Sequence, residues 1–193
     1  LGYDATPLSA RVRVQRPRDF TPPRTHVFVR VMLEGRPWLA DVGVGALSPT
    51  AALRLDIGDE QPTAHEPRRI VAEGAWGAAH TRYFHQVRFG DGWHDICELT
   101  GEEMPEIDRE VGNWFTSTHP RSHFRDRLIV ARATPEGRTV LVNRELSLRD
   151  RSGQARTRIL ASPDELLSVL AEYFDLRFPP GTRFTCPGLD WSA

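Results

Sequence analysis

His26-Val27-Phe28-Val29-Arg30-Val31-Met32-Leu33, then Glu34-Gly35-Arg36-Pro37, then Trp38-Leu39-Ala40-Asp41-Val42-Gly43-Val44 read as strand, turn and returning strand. The first run is rich in β-branched residues and the link holds glycine and proline, so the pattern predicts a β-hairpin. His26 opens its first strand. Asp41 interrupts Trp38-Leu39-Ala40 and Val42, a run that otherwise asks for burial, and a buried carboxylate needs a partner. Side chains alternate faces along a strand, and directly opposed residues share a face. An even loop puts His26 and Asp41 on the same side. An odd loop or a bulge puts them on opposite sides. On a shared face the carboxylate accepts a hydrogen bond from one imidazole nitrogen, fixing the tautomer and stabilising the imidazolium. The other nitrogen is then free to act on a nucleophile, which makes two-thirds of a thiol or hydroxyl triad. On spacing alone, a structural or surface role for both residues stays open.

Outward from this hairpin the chain remains rich in strands. Val12 and Val14 alternate with Arg11 and Arg13 as a half-buried strand. Pro17, Pro22 and Pro23 make residues 16–24 a loop. Gly43-Val44-Gly45 ends the hairpin in a flexible loop, and residues 46–67 are mostly turn-like. Arg82 to Phe89 and Trp93 to Leu99, around Gly90-Asp91-Gly92, give a second hairpin. Pro105 to Trp114 suggests a short helix with an extended tail. Leu128 to Ala133, Thr139 to Leu148 and Ala155 to Leu160 read as three strands, with turns at Pro135-Glu136-Gly137 and Arg151-Ser152-Gly153. Ser162-Pro163-Asp164-Glu165 supplies an N-cap serine, an N1 proline and a capping glutamate. Leu166, Leu167, Leu170 and Phe174 then recur at helical spacing as a core face. The tail from Pro179 wraps the surface. The pattern is α+β, mostly β with a late helix, and has a soft boundary in residues 100–125.

Twenty-five basic residues against 26 acidic ones argue against a nucleic-acid binder that works through bulk charge. No apolar stretch has the length of a membrane span, and no signal-peptide pattern opens the chain, so a cytoplasmic location is expected. Cys97 and Cys186 are far apart and outside any metal spacing, and each is expected as a reduced, small, buried hydrophobe. His80, His85 and His94 fit no common ligand pattern, so no metal is expected. Trp93 and Trp114 are expected in the core.

Thr25-His26 with its alternating strand, and Trp38-Leu39-Ala40-Asp41-Val42-Gly43-Val44-Gly45, are similar to the histidine and aspartate motifs of arylamine N-acetyltransferases. Leu1-Gly2-Tyr3 with Ala10-Arg11-Val12 resembles the segment that precedes them. Gly112-Asn113-Trp114-Phe115 with residues 117–124 resembles a third family block, and Asn143-Arg144-Glu145 a weaker fourth. The blocks come in the family's order and cover most of the chain.

The resemblance implies a β-barrel domain over residues 1–100 carrying His26 and Asp41. An interdomain linker with a short helix would follow over 101–125, and an α/β lid domain with a C-terminal helix over 126–193. It also implies a cysteine enzyme. An Arg-Gly-Gly-x-Cys segment near the N-terminus of the family supplies the nucleophile, and acetyl-coenzyme A acylates it. An arylamine, arylhydroxylamine or hydrazine then takes the acetyl group, with ping-pong kinetics. Carried over by position, His26 is the general base and Asp41 its orienter. Thr25, Gly43, Val44 and Gly45 line the acyl and acceptor pocket. Ser117, Thr118 and Phe124 form the wall shared with coenzyme A. Arg121, Arg125 and Arg127 form either a basic rim for its phosphates or a solvated face.

Two departures from the family pattern carry expectations of their own. The Arg-Gly-Gly-x-Cys segment is not in the sequence, so the chain is expected to be inactive without a cysteine-bearing N-terminal domain. Val44 stands where many family members have phenylalanine, which widens the pocket and weakens stacking on an aryl ring. Two alternatives follow: an amide synthase of the ansamycin macrolactam type, which takes its acyl chain from a carrier protein, and a non-catalytic truncated homologue.

Overall fold

The predicted hairpin forms as β2 (His26–Leu33) and β3 (Arg36–Ala40) in a computed structural model that describes residues 2–90 and 92–191. Leu33 pairs with Arg36, leaving a two-residue turn in which Glu34 and Gly35 have φ of 52° and 72°. Positive φ at both positions matches the right-handed twist of the flanking strands. The returning strand is shorter than its sequence suggests. It ends at Ala40 because the Asp41 carboxylate accepts the Gly43 N–H at 2.8 Å, a local bond that turns the chain out of the ladder. Val42, expected inside, is 96% exposed as a result.

The other strands of the first half are β1 (Asp4–Val12), β4 (Leu53–Arg54), β5 (Arg68–Glu73), β6 (Arg82–Phe89) and β7 (Gly92–Glu103). Among the described residues they form one antiparallel seven-stranded sheet in the order β4-β3-β2-β1-β7-β6-β5. Part of the second hairpin's expected turn, Asp91, lies outside the described residues.

Gln61 brings the two sheet edges together, giving a nearly closed barrel. Its backbone exchanges two hydrogen bonds with Arg68 at the start of β5, at 2.6 and 2.9 Å. Its side-chain amide accepts the Arg54 N–H at 2.6 Å and donates to the Arg54 carbonyl at 2.9 Å on β4. An edge strand's open backbone groups are thus satisfied by one glutamine. The inside is filled by Leu8, Phe28, Leu39, Ile70, Val87 and Leu99, each 2% exposed or less. Burying one such side chain contributes roughly 1.5–3 kcal/mol.

Helix α1 (Glu106–Thr118) is longer than predicted. Its Gly112 lies over Met104 and Thr25, where an added Cβ would sit 3.5 Å from Met104 Cε and 3.7 Å from Thr25 Cα. The chain divides into two compact units after Asn113. Trp114, expected in the core, is 61% exposed, and Trp93 is half-buried.

The second unit holds the short helix α2 (His123–Asp126), the strands β8 (Ile129–Thr134), β9 (Gly137–Val142), β10 (Glu145–Asp150) and β11 (Ala155–Ile159), and helix α3 (Pro163–Phe174). The strands form an antiparallel meander in sequence order. The single strand predicted over Thr139 to Leu148 is in fact two, β9 and β10, broken at Asn143-Arg144. Asn143 adopts φ of 54° and clips the turn to Leu128, donating its N–H at 2.7 Å and accepting the Leu128 N–H on Oδ1 at 3.0 Å. Asparagine tolerates this left-handed conformation better than most residues. The capped helix forms as predicted: Ser162 Oγ accepts the Glu165 N–H at 3.1 Å and Glu165 Oε2 accepts the Ala161 N–H at 2.6 Å. Leu166, Val169, Leu170 and Phe174 pack with Leu141, Leu146 and Leu160.

Candidate active site

Strand alternation decides which polar side chains enter the barrel. His26 shares a face with Phe28, Asp41 with Leu39, Arg68 with Ile70, His85 with Val87 and Cys97 with Leu99. All five polar partners are buried along with their apolar neighbours. The ladder sets them at similar heights: His26 faces Ala10 on β1, and Val12, two residues on, faces Cys97 on β7, which in turn faces His85 on β6. A bulge between His85 and Gln86 lets Ile96 and Cys97 both point away from water.

Within this layer His26 Nε2 and Asp41 Oδ1 are 3.1 Å apart, and the two side chains are 9% and 1% exposed. Oδ1 is shared with the Gly43 N–H. The second carboxylate oxygen, Oδ2, is buried with no hydrogen-bond partner among the described residues. The Phe28 ring meets His26 edge-on at 5.0 Å between centroids. Gly43 closes the other side. A Cβ there would sit 3.1 Å from His26 Cε1, so any side chain at this position would press on the imidazole ring. With Nε2 bonded to the carboxylate, Nδ1 is the nitrogen left for a reacting group.

Behind this pair lies a second polar layer. Arg68, fully buried, places Nη1 2.7 Å from the Leu47 carbonyl and 3.2 Å from His85 Nε2, and Nη2 3.3 Å from Glu66 Oε2. Because an arginine only donates, His85 Nε2 accepts and His85 is the neutral Nδ1–H tautomer. Burial, then the Arg68 cation, push its pKa down from 6.5 to about 3, with Asp41 working the other way. Burial and then the Asp41 charge push the Cys97 thiol well above its usual range, so it is protonated at neutral pH. Cys97 therefore lacks the thiolate character of a nucleophile. Ligand atoms of His26, Asp41 and Cys97 nonetheless lie within 4.8 Å of one another.

The structure brings Gly43 against the His26–Asp41 pair and sets Thr25 immediately before it, half-buried. Val44 is partly buried against the first core, and its N–H donates to Ser48 Oγ at 3.0 Å. Gly45 has φ of 61° and begins a single 3-10 turn. Ser117, Thr118 and Phe124 belong to the second unit and are exposed, Phe124 by 56%. His80 and His94 are exposed, so the three histidines weighed together in the sequence do not form a cluster. The roles of His85 and Arg68 escaped the sequence reading. Their signal was the alternation Arg68-Ile70 and His85-Val87, polar residues in step with apolar ones.

The family model described as N-acetyltransferase matches residues 1–181. The chain is similar to an arylamine N-acetyltransferase of Mycobacterium tuberculosis, 34% identical over 181 residues, covering 91% of this chain and 61% of that protein. It is 37% identical over 179 residues to the arylamine N-acetyltransferase of Mycolicibacterium smegmatis, covering 91% and 62%. The structure of Mycobacterium marinum arylamine N-acetyltransferase in complex with CoA superposes with a TM-score of 0.81 at 35% identity, covering 91% of this chain and 63% of that one. The chain thus spans about six-tenths of the length of these relatives. No described helix is long and apolar enough to cross a membrane.

Proposed function

Because the chain belongs to the arylamine N-acetyltransferase family, we propose that the complete protein transfers an acetyl group from acetyl-coenzyme A, through a cysteine thioester, to an arylamine, arylhydroxylamine or hydrazine. The observation that carries this reading is the buried contact of 3.1 Å between His26 Nε2 and Asp41 Oδ1. A free thiol titrates at about 8.5, and a neighbouring imidazolium lowers that enough to hold a thiolate at neutral pH. In this reading the thiolate comes from the part of the protein that precedes the sequence described above, and it faces His26 Nδ1.

The thiolate attacks the thioester carbonyl of acetyl-coenzyme A. The carbon–sulfur bond to coenzyme A breaks, and the leaving thiolate takes the proton from His26. The amine then attacks the acetyl-enzyme while neutral His26 accepts its proton, and the protein cysteine leaves as a thiolate. Asp41 keeps the imidazole in one tautomer and stabilises its charged form through both half-reactions. Thr25, Gly43, Val44 and Gly45 line the acyl and acceptor pocket, and Ser117, Thr118 and Phe124 hold coenzyme A. Acetyl-coenzyme A and a reduced thiol place the reaction in the cytoplasm.

The test is acetyl-coenzyme A-dependent acetylation of an arylamine and a hydrazine by the full-length protein, with His26→Ala beside it. Acetylation that is abolished in the variant is expected. No acetylation of either acceptor, with turnover of an acyl chain from a carrier protein instead, would replace this reading with the macrolactam synthase. Val44, smaller than phenylalanine, is the feature that favours that second reading.

A further inference from the structure

We propose that His26, Asp41 and Cys97 form a binding site for a zinc-type divalent cation, which the chain takes up in place of the hydrogen bond between His26 and Asp41. One nitrogen, one carboxylate oxygen and one sulfur, each within 4.8 Å of the other two, leave a point about 2.8 Å or less from all three. Zinc bonds span about 2.0–2.3 Å, so each ligand moves by a fraction of an ångström to reach it. The donor set is mixed imidazole, carboxylate and thiolate, which suits zinc and excludes calcium or magnesium.

Two further observations point to a cation. Asp41 Oδ2 is buried in a side chain only 1% exposed and has no hydrogen-bond partner among the described residues, so an acceptor waits there for positive charge. The site's charge also balances. A doubly charged ion beside one thiolate and one carboxylate is neutral overall, whereas an unpaired ion in this apolar barrel would be costly.

On binding, the sulfur–metal bond forms, the S–H bond breaks and its proton goes to solvent. Three protein ligands leave a fourth position for water. The metal separates His26 from its orienting carboxylate, so the loaded protein loses the pair that the acetyl-transfer reading requires. Only this inhibitory consequence rests on that reading; the binding stands on the three ligands themselves.

Titration of the metal-free full-length protein with Co2+, a zinc surrogate whose thiolate complexes absorb in the near ultraviolet, tests the binding directly. One equivalent is expected to give a sulfur-to-cobalt charge-transfer band that Zn2+ displaces. Cys97→Ser should lose the band, Cys186→Ser should keep it, and Asp41→Asn should weaken binding at least tenfold, roughly the loss of one ligand. Near-ultraviolet circular dichroism confirms that each variant is folded. Absence of the band, its loss in Cys186→Ser rather than Cys97→Ser, or wild-type affinity in Asp41→Asn overturns the site. Since no acetyl transfer is measured, none of these outcomes depends on the enzyme reading.

Discussion

His26 and Asp41 touch because they are diagonal, not opposed, on neighbouring strands. The ladder pairs Val29 with Ala40, so continuing it would set Asp41 opposite Phe28, with His26 one same-face step further along. Asp41 has already left the strand by then, and its bond to the Gly43 N–H aims Oδ1 at the imidazole. The contact thus depends on a register, a strand end and a loop acting together.

Replacing Asp41 with asparagine separates the value of this contact for chemistry from its value for folding. The amide keeps the shape but presents no charge to an imidazolium. In the full-length protein kcat/KM for acetyl transfer is expected to fall by about three to four orders of magnitude, as when a triad carboxylate is neutralised. Stability should change little, because the amide oxygen can still accept the Gly43 N–H and the imidazole N–H, while an NH2 without a partner replaces an oxygen without a partner. Steady-state kinetics and urea unfolding of the same preparation read both effects. A loss of several kcal/mol in stability would mean that the charge serves the fold.

Gly43→Ala tests the loop's part. The new methyl group would stand 3.1 Å from His26 Cε1, tighter than nine in ten real contacts of this kind. Either the ring rotates away from Asp41 or the loop backs off. A modest stability loss of about 1 kcal/mol is expected from overpacking, with at least a tenfold drop in acetyl transfer, since a small misplacement of a general base is costly. Histidine NMR of the variant should show the His26 ring resonances shifted while those of exposed His80 stay in place.

The pairing of His26 with Asp41 was legible in the sequence, because a short turn between alternating strands sets the two residues in step, although the loop bond to Gly43 finally aims the carboxylate. Strand alternation and a two-residue turn bring His26 and Asp41 to one face without any knowledge of the rest of the chain. What stayed hidden was set by distant partners or by small polar residues acting as breakers. The run from Thr139 to Leu148 looks continuous until Asn143 is seen clipped to Leu128. The strand β5 gave no signal strong enough to register, because its start is two arginines, one of them buried against His85. Val42 looked like a core residue, yet it is exposed because Asp41 bends the chain. The stretch before β5, read as turn, contains the glutamine that joins both sheet edges.

Gln61 is the residue to change if barrel closure matters. Gln61→Leu has a similar size but loses the hydrogen bonds to the Arg54 N–H and carbonyl while keeping the backbone bonds to Arg68. Two backbone groups on β4 are then left without their side-chain partner, each at a cost of about 1–3 kcal/mol if buried and lower if water reaches them. A net loss of roughly 2 kcal/mol in urea unfolding is expected. Hydrogen exchange should show the Arg54 amide losing protection first, with the Leu39 amide on β3 little changed.

Acid sensitivity should trace to His85. Its pKa is near 3 in the folded protein, against about 6.5 in an unfolded chain, so between these values the unfolded state binds the extra proton. Stability from this group is therefore complete above about pH 6.5 and falls as the pH drops, levelling off near pH 3. The slope for one proton is about 1.4 kcal/mol per pH unit. Urea unfolding at pH 7, 6 and 5 with a chelator present should show that loss on top of the contribution of the carboxylates. In His85→Gln the amide oxygen can still accept from Arg68, so the fold should survive, and the part of the slope between pH 6.5 and 5 that exceeds the carboxylate background should vanish. An unchanged slope in that variant would mean that the proton taken up on unfolding belongs to another group.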